Sequence, residues 1–339
     1  MDTTAILGAV AHPGGLLVRR PELTVGVVRA VSTLSALEIE LLARQPLDRR
    51  SALERQHDIR AGRPNPVAPR RLLPVYDEGI DLRVGRLDHT GRVRWEYVRS
   101  SSGSSGDHHL GANGPTHRAV FRFPPAFDEM SLVLAWPEIG FPETVITLPL
   151  PDRTTVERAT TTIWRAPLDT RPVPEGLTHH TVPWQRPPAI EEGTIVAPPR
   201  VLHRRDHEAA VVISRLTAVG PTLSMELLSI AQGDSANAVI ARAFAREQPV
   251  PGLSDDPAQL RAMGPDASVA VLRGHEAVWI KPGDGSSSGG EQSFSSLREL
   301  TLHRPQDDLL DLVVAWPLAG LHDVRVHVPL TGLSTHGTA

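Results

Sequence analysis

The serine- and glycine-rich stretches are where this sequence comes closest to a catalytic motif. They are SSSGSSGDHHLGANG, from Ser100 to Gly114, and GDGSSSGG, from Gly283 to Gly290. The second has the Gly-x-Ser-x-Gly spacing of a nucleophile elbow, in which a strand turns sharply into a helix and exposes the serine. A strand-like segment follows it here, so we expect no catalytic serine. Neither stretch has the Walker spacing or opens a helix, so phosphate binding is not indicated.

We expect instead that both stretches are loops between strands, at equivalent edges of the protein, and that they form paired contact surfaces. The candidate interaction residues in these loops are Ser104, Gly106, His108, His109, Gly285, Ser287 and Gly289.

Paired histidines and paired carboxylates are the remaining candidates for chemistry. His108-His109 and His179-His180 lack further ligands at helical spacing, whereas a zinc site needs three or four converging ligands. Pairs such as Asp128-Glu129 lie beside strand starts, where neighbouring side chains point to opposite faces. The absence of cysteine excludes disulfides and thiol chemistry. We therefore predict no catalytic residue, no metal ion and no cofactor.

The charge balance bears on the class of partner. A formal net charge of -4 does not favour nucleic acid or an anionic membrane. The basic stretch from Arg49 to Arg71 lacks interleaved aromatic residues for base stacking, so we expect no nucleic-acid partner. No stretch reaches about 18 consecutive apolar residues and Met1 to Arg20 does not resemble a secretory signal. We expect a cytoplasmic protein without a membrane span.

The strongest pattern in the sequence is an internal repeat. Segments of the first half return in the second half in the same order and at similar spacing, which indicates a tandem duplication. The matched segments are Gly8–Pro13 with Gly193–Pro198, Val25–Val31 with Ala210–Leu216, Glu38–Leu42 with Ser224–Leu228, and Leu132–Pro137 with Leu312–Pro317.

The repeat sets the predicted domain organisation. We predict a first copy over residues 1–150, a helix and Pro-rich linker over 151–192, a second copy over 193–330 and a flexible tail over 331–339. The connecting helix is expected over Thr154–Trp164, with Thr154 as its cap. Each copy is expected to carry one short helical insert, near residues 48–61 and 234–246.

Within each copy the hydrophobic pattern has a period of two. Leu37, Ile39 and Leu41 alternate with Glu38 and Glu40, as in a half-buried strand. About seven such strands per copy, separated by turns, favour an antiparallel β-sandwich over a parallel α/β sheet. The predicted fold class is mainly β: two antiparallel, immunoglobulin-like β-sandwiches in tandem.

The later half of each copy carries a Gly-rich loop, then a strand, then Leu-Val-x-Ala-Trp-Pro-x-x-Gly. In the second copy this is Gly283–Gly290 with Leu312–Gly320, echoed by Ser100–Gly114 with Leu132–Gly140 in the first. This order resembles a group of uncharacterised actinobacterial β-rich proteins, from which the Ser-diluted loops depart. The resemblance implies no activity.

The predicted function is a non-catalytic, intracellular protein-interaction or assembly module. Two linked copies suit bivalent binding of a protein partner or self-association. The alternative is an enzyme or small-ligand binder, such as a carbohydrate binder, with its site between the copies. Candidate contact residues for that site are Arg19, Arg20, Arg204 and Arg205. Sugar stacking would also need exposed tryptophans, whereas we expect Trp136 and Trp316 to be buried.

Overall fold

The computed structural model describes residues 6–47, 51–62, 67–74, 81–104, 114–182, 185, 188–244, 264–283 and 285–331. The chain divides into two compact units. The N-unit comprises Gly8–Ala159 and Glu191–Gly193, and the C-unit comprises Met1–Leu7, Thr160–Ile190 and Thr194–Ala339. The predicted mainly β architecture is confirmed.

Within the described residues, the regular elements are strands with three α-helices between them. In order they are β1 (Ile6–Leu7), β2 (Ala9–Val10), β3 (Gly15–Arg19), β4 (Thr24–Ser32), β5 (Leu37–Arg44), α1 (Ala52–Arg60), β6 (Arg83–Leu87), β7 (Val93–Glu96), β8 (Ser100–Ser104), β9 (Thr116–Phe123), β10 (Glu129–Trp136), β11 (Phe141–Pro149), α2 (Arg153–Ala159), β12 (Thr161–Thr162), β13 (Thr170–Arg171), β14 (Thr178–Val182), β15 (Thr194–Ala197), β16 (Arg200–Arg205), β17 (Ala209–Val219), β18 (Thr222–Gln232), α3 (Gly233–Ala243), β19 (Ser268–Arg273), β20 (Glu276–Ile280), β21 (Gly285–Gly289), β22 (Ser293–His303), β23 (Leu309–Trp316) and β24 (Leu321–Pro329).

In the N-unit, two antiparallel sheets enclose one hydrophobic core. Sheet I has the strand order β2-β4-β5-β9-β8, with β3 also paired to β4, and sheet II has the order β11-β10-β6-β7. Buried side chains of both sheets, among them Ile39 and Phe121 of sheet I and Leu132 and Leu148 of sheet II, form a single cluster. The N-unit is therefore a β-sandwich.

The C-unit has the same strand order. Sheet III runs β15-β17-β18-β22-β21, with β16 paired to β17, and sheet IV runs β13-β24-β23-β19-β20-β14. Met225 and Leu300 of sheet III share a buried cluster with Leu312 and Val328 of sheet IV. Without β13 and β14, each C-unit sheet matches its N-unit counterpart strand for strand. The C-unit is a second β-sandwich.

The proline-rich segment that the sequence suggested as a linker contributes strands to the C-unit. β13 pairs with β24 at one edge of sheet IV, and β14 pairs in parallel with β20 at the opposite edge. Between them, Val173 and Leu177 pack on a buried cluster that contains Trp279. Prolines are tolerated in this segment because an edge strand, and the chain between two edge strands, donate few backbone N–H groups to the sheet.

The central hairpin of each sandwich contains a β-bulge that is followed by an arginine–glutamate pair. In the N-unit the register shifts between Val27 and Arg29, and Arg29 then lies opposite Glu40. In the C-unit the shift falls between Ile213 and Arg215, and Arg215 lies opposite Glu226. Val27 therefore corresponds to Ile213. The sequence match of Val25–Val31 with Ala210–Leu216 is out of register by one residue.

Helices α1 and α3 lie close to the predicted inserts, whereas the connecting helix ends well before the predicted Trp164 and has a different cap. Thr154 was expected to cap the connecting helix. Instead Asp152 Oδ1 accepts the backbone N–H of Thr155 at 2.8 Å, and α2 ends at Ala159. These hydrogen bonds from Thr155 lower the pKa of Asp152. A carboxylate at the cap also interacts favourably with the helix dipole, which a threonine cannot do.

Gly26 is required because the backbone of Glu191 lies directly over β4. A Cβ at position 26 would lie 2.2 Å from the Glu191 carbonyl oxygen. The Glu191 carboxylate is itself fixed by the Arg44 guanidinium, with Arg44 Nη2 at 3.1 Å from Oε2. Residues 191–193 therefore belong to the N-unit through close backbone packing that only glycine allows.

We expect Gly26→Ala to destabilise the N-unit by about 1–3 kcal/mol, because the added methyl overpacks a site bounded by backbone. Gly103→Ala is the matched control, since its Cβ would lie at an ordinary 3.4 Å from Thr116 O. Urea denaturation, with hydrogen exchange of β4 to assign the transition, measures the effect. Equal midpoints for the two variants would contradict the packing argument.

Candidate functional site

The Gly/Ser stretches are edge strands in the residues that the structure describes, which corrects the expectation of loops. β8 lies at one end of sheet I and β21 at one end of sheet III. β21 continues from β22 through a tight hairpin in which Gly290 donates its backbone N–H to Ser293 O at 2.8 Å. β22 extends far enough to give the small residues a full ladder partner, so a strand forms despite their low β-propensity.

The predicted interaction residues lie partly on these strands. Ser104 is the last residue of β8, and Gly285, Ser287 and Gly289 alternate along β21. Gly106, His108 and His109 lie outside the described residues. All five residues of β21 are exposed. The edge of sheet III therefore presents an accessible backbone with side chains no larger than serine.

The hairpin geometry determines which backbone groups of β21 face outward. In an antiparallel pair, residues alternate between exchanging hydrogen bonds with the partner strand and pointing their N–H and C=O away from it. Because Gly290 bonds to Ser293, the residues that bond to β22 are Ser288 and Ser286. The backbone groups of Gly285, Ser287 and Gly289 consequently point away from sheet III.

Ser287 is held by a polar cluster and does not occupy a nucleophile elbow. Its Oγ accepts from Arg298 Nη2 at 3.0 Å and bonds to Ser296 Oγ at 3.4 Å. Arg298 Nε in turn donates to Asp266 at 2.8 Å, and Ser296 also donates to Asp266. Ser287 lies in the middle of a strand, without the strand-to-helix turn that exposes a catalytic serine. These hydrogen bonds hold β21 against β22 and the Asp266 side chain.

The N-unit places a histidine where the C-unit has Ser296. His117 Nε2 lies 3.4 Å from Asp81 Oδ1, and its ring meets Trp136 edge-on with centroids 6.0 Å apart. His117 pairs with Gly103, which carries no side chain that could act as a nucleophile. The Asp81–His117 pair therefore packs one end of the sandwich, with no hydroxyl from β8 directly opposite it.

Within their own units, the four arginines predicted as contact residues have the following surroundings. Arg19 Nη2 lies 2.5 Å from Glu192 within the N-unit, and Arg20 is exposed beside the turn that precedes β4. Arg204 Nη1 donates to the carbonyls of Ile163 and Ala166, both at 2.8 Å. These contacts hold residues 163–166 against sheet III.

Arg205 is also engaged inside the C-unit. Its Nη2 donates to Ser235 Oγ at 2.7 Å and to Glu208, and its guanidinium lies over Gly320. A Cβ at Gly320 would lie 1.9 Å from Arg205 Nη1, so glycine is needed for this contact. Arg205 thus connects β16 to the corner after β23 and has a structural role.

Three tryptophans, Trp136, Trp279 and Trp316, are buried and offer no surface for sugar stacking. Trp316 is fully buried and donates Nε1–H to Pro265 O at 3.0 Å, and Trp136 is buried as well. Trp279 is buried against His179, whose Nδ1 accepts the indole N–H at 3.0 Å. His179 therefore serves as an indole partner rather than one of a pair of metal ligands.

Two further arrangements bear on ligands. The backbone N–H groups of residues 71–73 form a concavity suited to an anion, and the Glu143 carboxylate fills it at 2.7–3.0 Å. In the described part of the chain, no three His, Cys, Asp or Glu side chains are grouped as metal ligands.

Among the described helices, none is long and apolar enough to span a membrane.

Sequence reasoning missed the buried charge network on sheet III. Arg215 Nη2 donates to Glu299 at 2.9 Å and to Ser224 at 3.3 Å, and Glu226 lies opposite. In sheet I, Arg29 pairs with both Glu38 and Glu40. The sequence signal for this network is an arginine within an apolar strand in each half. The two arginines match one another only when the residue inserted by the bulge is taken into account.

Comparison with known proteins gives little. No protein-family model matches the chain, and no curated protein matches it. Among solved structures, a conserved domain protein from Bacillus anthracis aligns with a TM-score of 0.20 and 8% identity, over 91% of this chain and 77% of that chain. Bovine butyrophilin aligns with a TM-score of 0.20 and 11% identity, over 96% of this chain and 98% of that chain. Likenesses this weak identify no family.

His203 is held in its neutral form. Its Nδ1 accepts the backbone N–H of Arg204 at 2.9 Å, which leaves Nε2–H to donate to His322 O at 3.0 Å. Burial lowers the pKa of His203, and the hydrogen bond to His322 opposes this only partly. Burial likewise lowers the pKa of His12, whose Nδ1 accepts from Gly14 N–H. Protonation of Nδ1 on either ring would place its new N–H against the backbone N–H that it now accepts from.

We expect the C-unit to lose stability as the pH falls below about 6.5, because unfolded His203 then binds a proton that folded His203 resists. His203→Gln keeps a side-chain amide and should show a smaller loss between about pH 7.5 and 5.5. The exposed His180→Gln is the control and should behave like the wild type. Unfolding midpoints at each pH test this, and parallel curves for all three proteins would contradict it.

Proposed function

We propose that this chain is a non-catalytic protein-interaction or assembly module of the cytoplasm, built from two homologous, immunoglobulin-like β-sandwiches. Partners bind by adding a strand to the Gly/Ser edges β8 and β21. The exposure of all five residues of β21 at the end of sheet III carries the proposal.

The composition of these edges supports strand addition. Natural sheets protect exposed edges with charged residues, prolines or bulges. β21 consists of Gly285 and Gly289 around three serines, and β8 of four serines and Gly103. Neither strand contains a charge or a proline. An open edge of this kind binds an extended segment through main-chain hydrogen bonds.

Homology of the two sandwiches is supported by features that go beyond shared strand order. Both central hairpins have the bulge followed by an Arg–Glu pair. Trp136-Pro137 and Trp316-Pro317 each end a strand and begin a 3-10 turn, closed by Gly140 at φ 84° and Gly320 at φ 72°. We propose that the chain arose by tandem duplication. Two equivalent edges on one chain then allow bivalent binding, which raises the overall affinity without new contacts.

The test is an affinity pull-down from lysate of the native host with full-length bait. Ser287→Pro removes an outward N–H while leaving the bonds to β22, and Ser287→Ala removes only the hydroxyl. Gly103→Pro and Gly103→Ala form the matching pair for β8. We expect a protein that the wild type and both alanine variants retain, and that the proline variants lose by at least about tenfold.

The baits are compared by quantitative mass spectrometry, after circular dichroism has established that each is folded. A protein set that is the same for the proline and alanine variants would contradict binding at these edges. Loss with both alanine variants would also contradict it, since strand addition uses the backbone and not the serine hydroxyl.

A further inference from the structure

We propose that β21 pairs with β21 of a second copy of this chain, antiparallel and symmetric about Ser287, so that sheet III continues across two molecules. This inference rests on the proposed function and names the partner for one of its two edges. It follows from the direction of the outward backbone groups and from the sequence of the strand.

The outward backbone groups of β21 are self-complementary. Gly285, Ser287 and Gly289 point their N–H and C=O away from sheet III. A two-fold axis at Ser287 places Ser287 opposite its own copy and Gly285 opposite Gly289 of the second copy. Each of these pairs joins two outward-pointing residues, and each such pair exchanges two hydrogen bonds. No outward donor or acceptor of the strand is left without a partner in this register.

The strand is also symmetric in its side chains. Gly285-Ser286-Ser287-Ser288-Gly289 is the same in both directions, so glycine meets glycine and serine meets serine about the axis. No charge is present that would repel its own copy, and no side chain is large enough to separate the two backbones. Closed two-fold association of this kind requires a self-complementary surface, which this strand provides.

The edge of the N-unit is less suited to such pairing. β8 has the sequence Ser-Ser-Ser-Gly-Ser, which is not symmetric about its centre. We therefore assign self-pairing to β21 and leave β8 for a different partner.

Phe244 adds an apolar contact next to the proposed axis. It is 53% exposed, and its ring lies against Gly289, where an added Cβ would meet Cε2 at 2.8 Å. Symmetric pairing places Gly289 opposite Gly285 of the second copy. In that copy, the Arg298 side chain occupies the space that a Cβ on Gly285 would fill. The ring of one copy then lies alongside the guanidinium of the other, an arrangement that favours cation–π attraction.

A single short strand pair buries far less area than a standard interface. The dimer is therefore expected to be weak, with a dissociation constant on the order of micromolar or above. The measurement is sedimentation velocity of the purified full-length chain over a wide range of concentration. We expect reversible dimers for the wild type and Ser287→Ala, and at least about tenfold weaker association for Ser287→Pro and for Phe244→Ala.

A cysteine cross-link tests the register and does not depend on how well the proline variant folds. The chain has no cysteine, so single variants are unambiguous. In Ser287→Cys, the two Cα atoms on the axis would be about 5.5 Å apart, within disulfide range. In Ser286→Cys they would be diagonal neighbours at roughly 7–8 Å, beyond it. We expect mild oxidation to give covalent dimers with Ser287→Cys only.

The outcomes separate this inference from the proposed function. A wild type that stays monomeric at all concentrations, or equal cross-linking of the two cysteine variants, overturns symmetric pairing. The proposed function survives that result if the pull-down still retains another protein in a manner sensitive to Ser287→Pro. Dimers that persist unchanged in Ser287→Pro and Phe244→Ala place the dimer contact elsewhere, which also overturns the inference.

Discussion

The register of the central hairpin is the constraint on which each sandwich depends. In the C-unit the fully buried Arg215 lies between Glu226 and Glu299, on the face of sheet III opposite the shared core. A slip of one residue along β17 would move this charge into the core and expose the apolar side chains. Removing one partner of such a buried pair typically costs about 3–5 kcal/mol. The pair thus selects one register strongly, even where its net contribution to stability is small.

Much of the architecture could be predicted from the period-two pattern, because a strand that is buried on one face alternates apolar and polar residues in its sequence. The alternation of Leu37, Ile39 and Leu41 with glutamates matches β5, whose apolar residues enter the core. The Trp-Pro pairs lie where β10 and β23 end, because proline cannot continue the ladder. Gly274, at φ 61°, occupies the turn between β19 and β20, where a glycine is favoured.

Other features depend on tertiary contacts that leave no such trace. The bulge before Arg215 shifts the register by one residue, and local sequence does not specify it. Thr170–Arg171 and Thr178–Val182 lie in a proline-rich segment with no alternation, and they are strands only because sheet IV offers them two edges. The Gly/Ser stretch of β21 is a strand only because β22 provides its ladder. In each case pairing with distant residues overrides local propensity.

The open edge of sheet III results from two different requirements within one strand. Packing imposes glycine at 285, because a Cβ there would meet the backbone oxygen of Leu297 at 2.2 Å, and it favours glycine at 289, where a Cβ would lie 2.8 Å from the Phe244 ring. Position 286 is under no comparable constraint, since its side chain lies on the exposed face away from the Asp266 cluster, and a lysine there would protect the edge in the ordinary way. Serine stands there instead. Packing therefore explains the glycines of β21, but it does not explain why no charged side chain protects this edge. The proposed pairing of the β21 backbone with another strand explains both features.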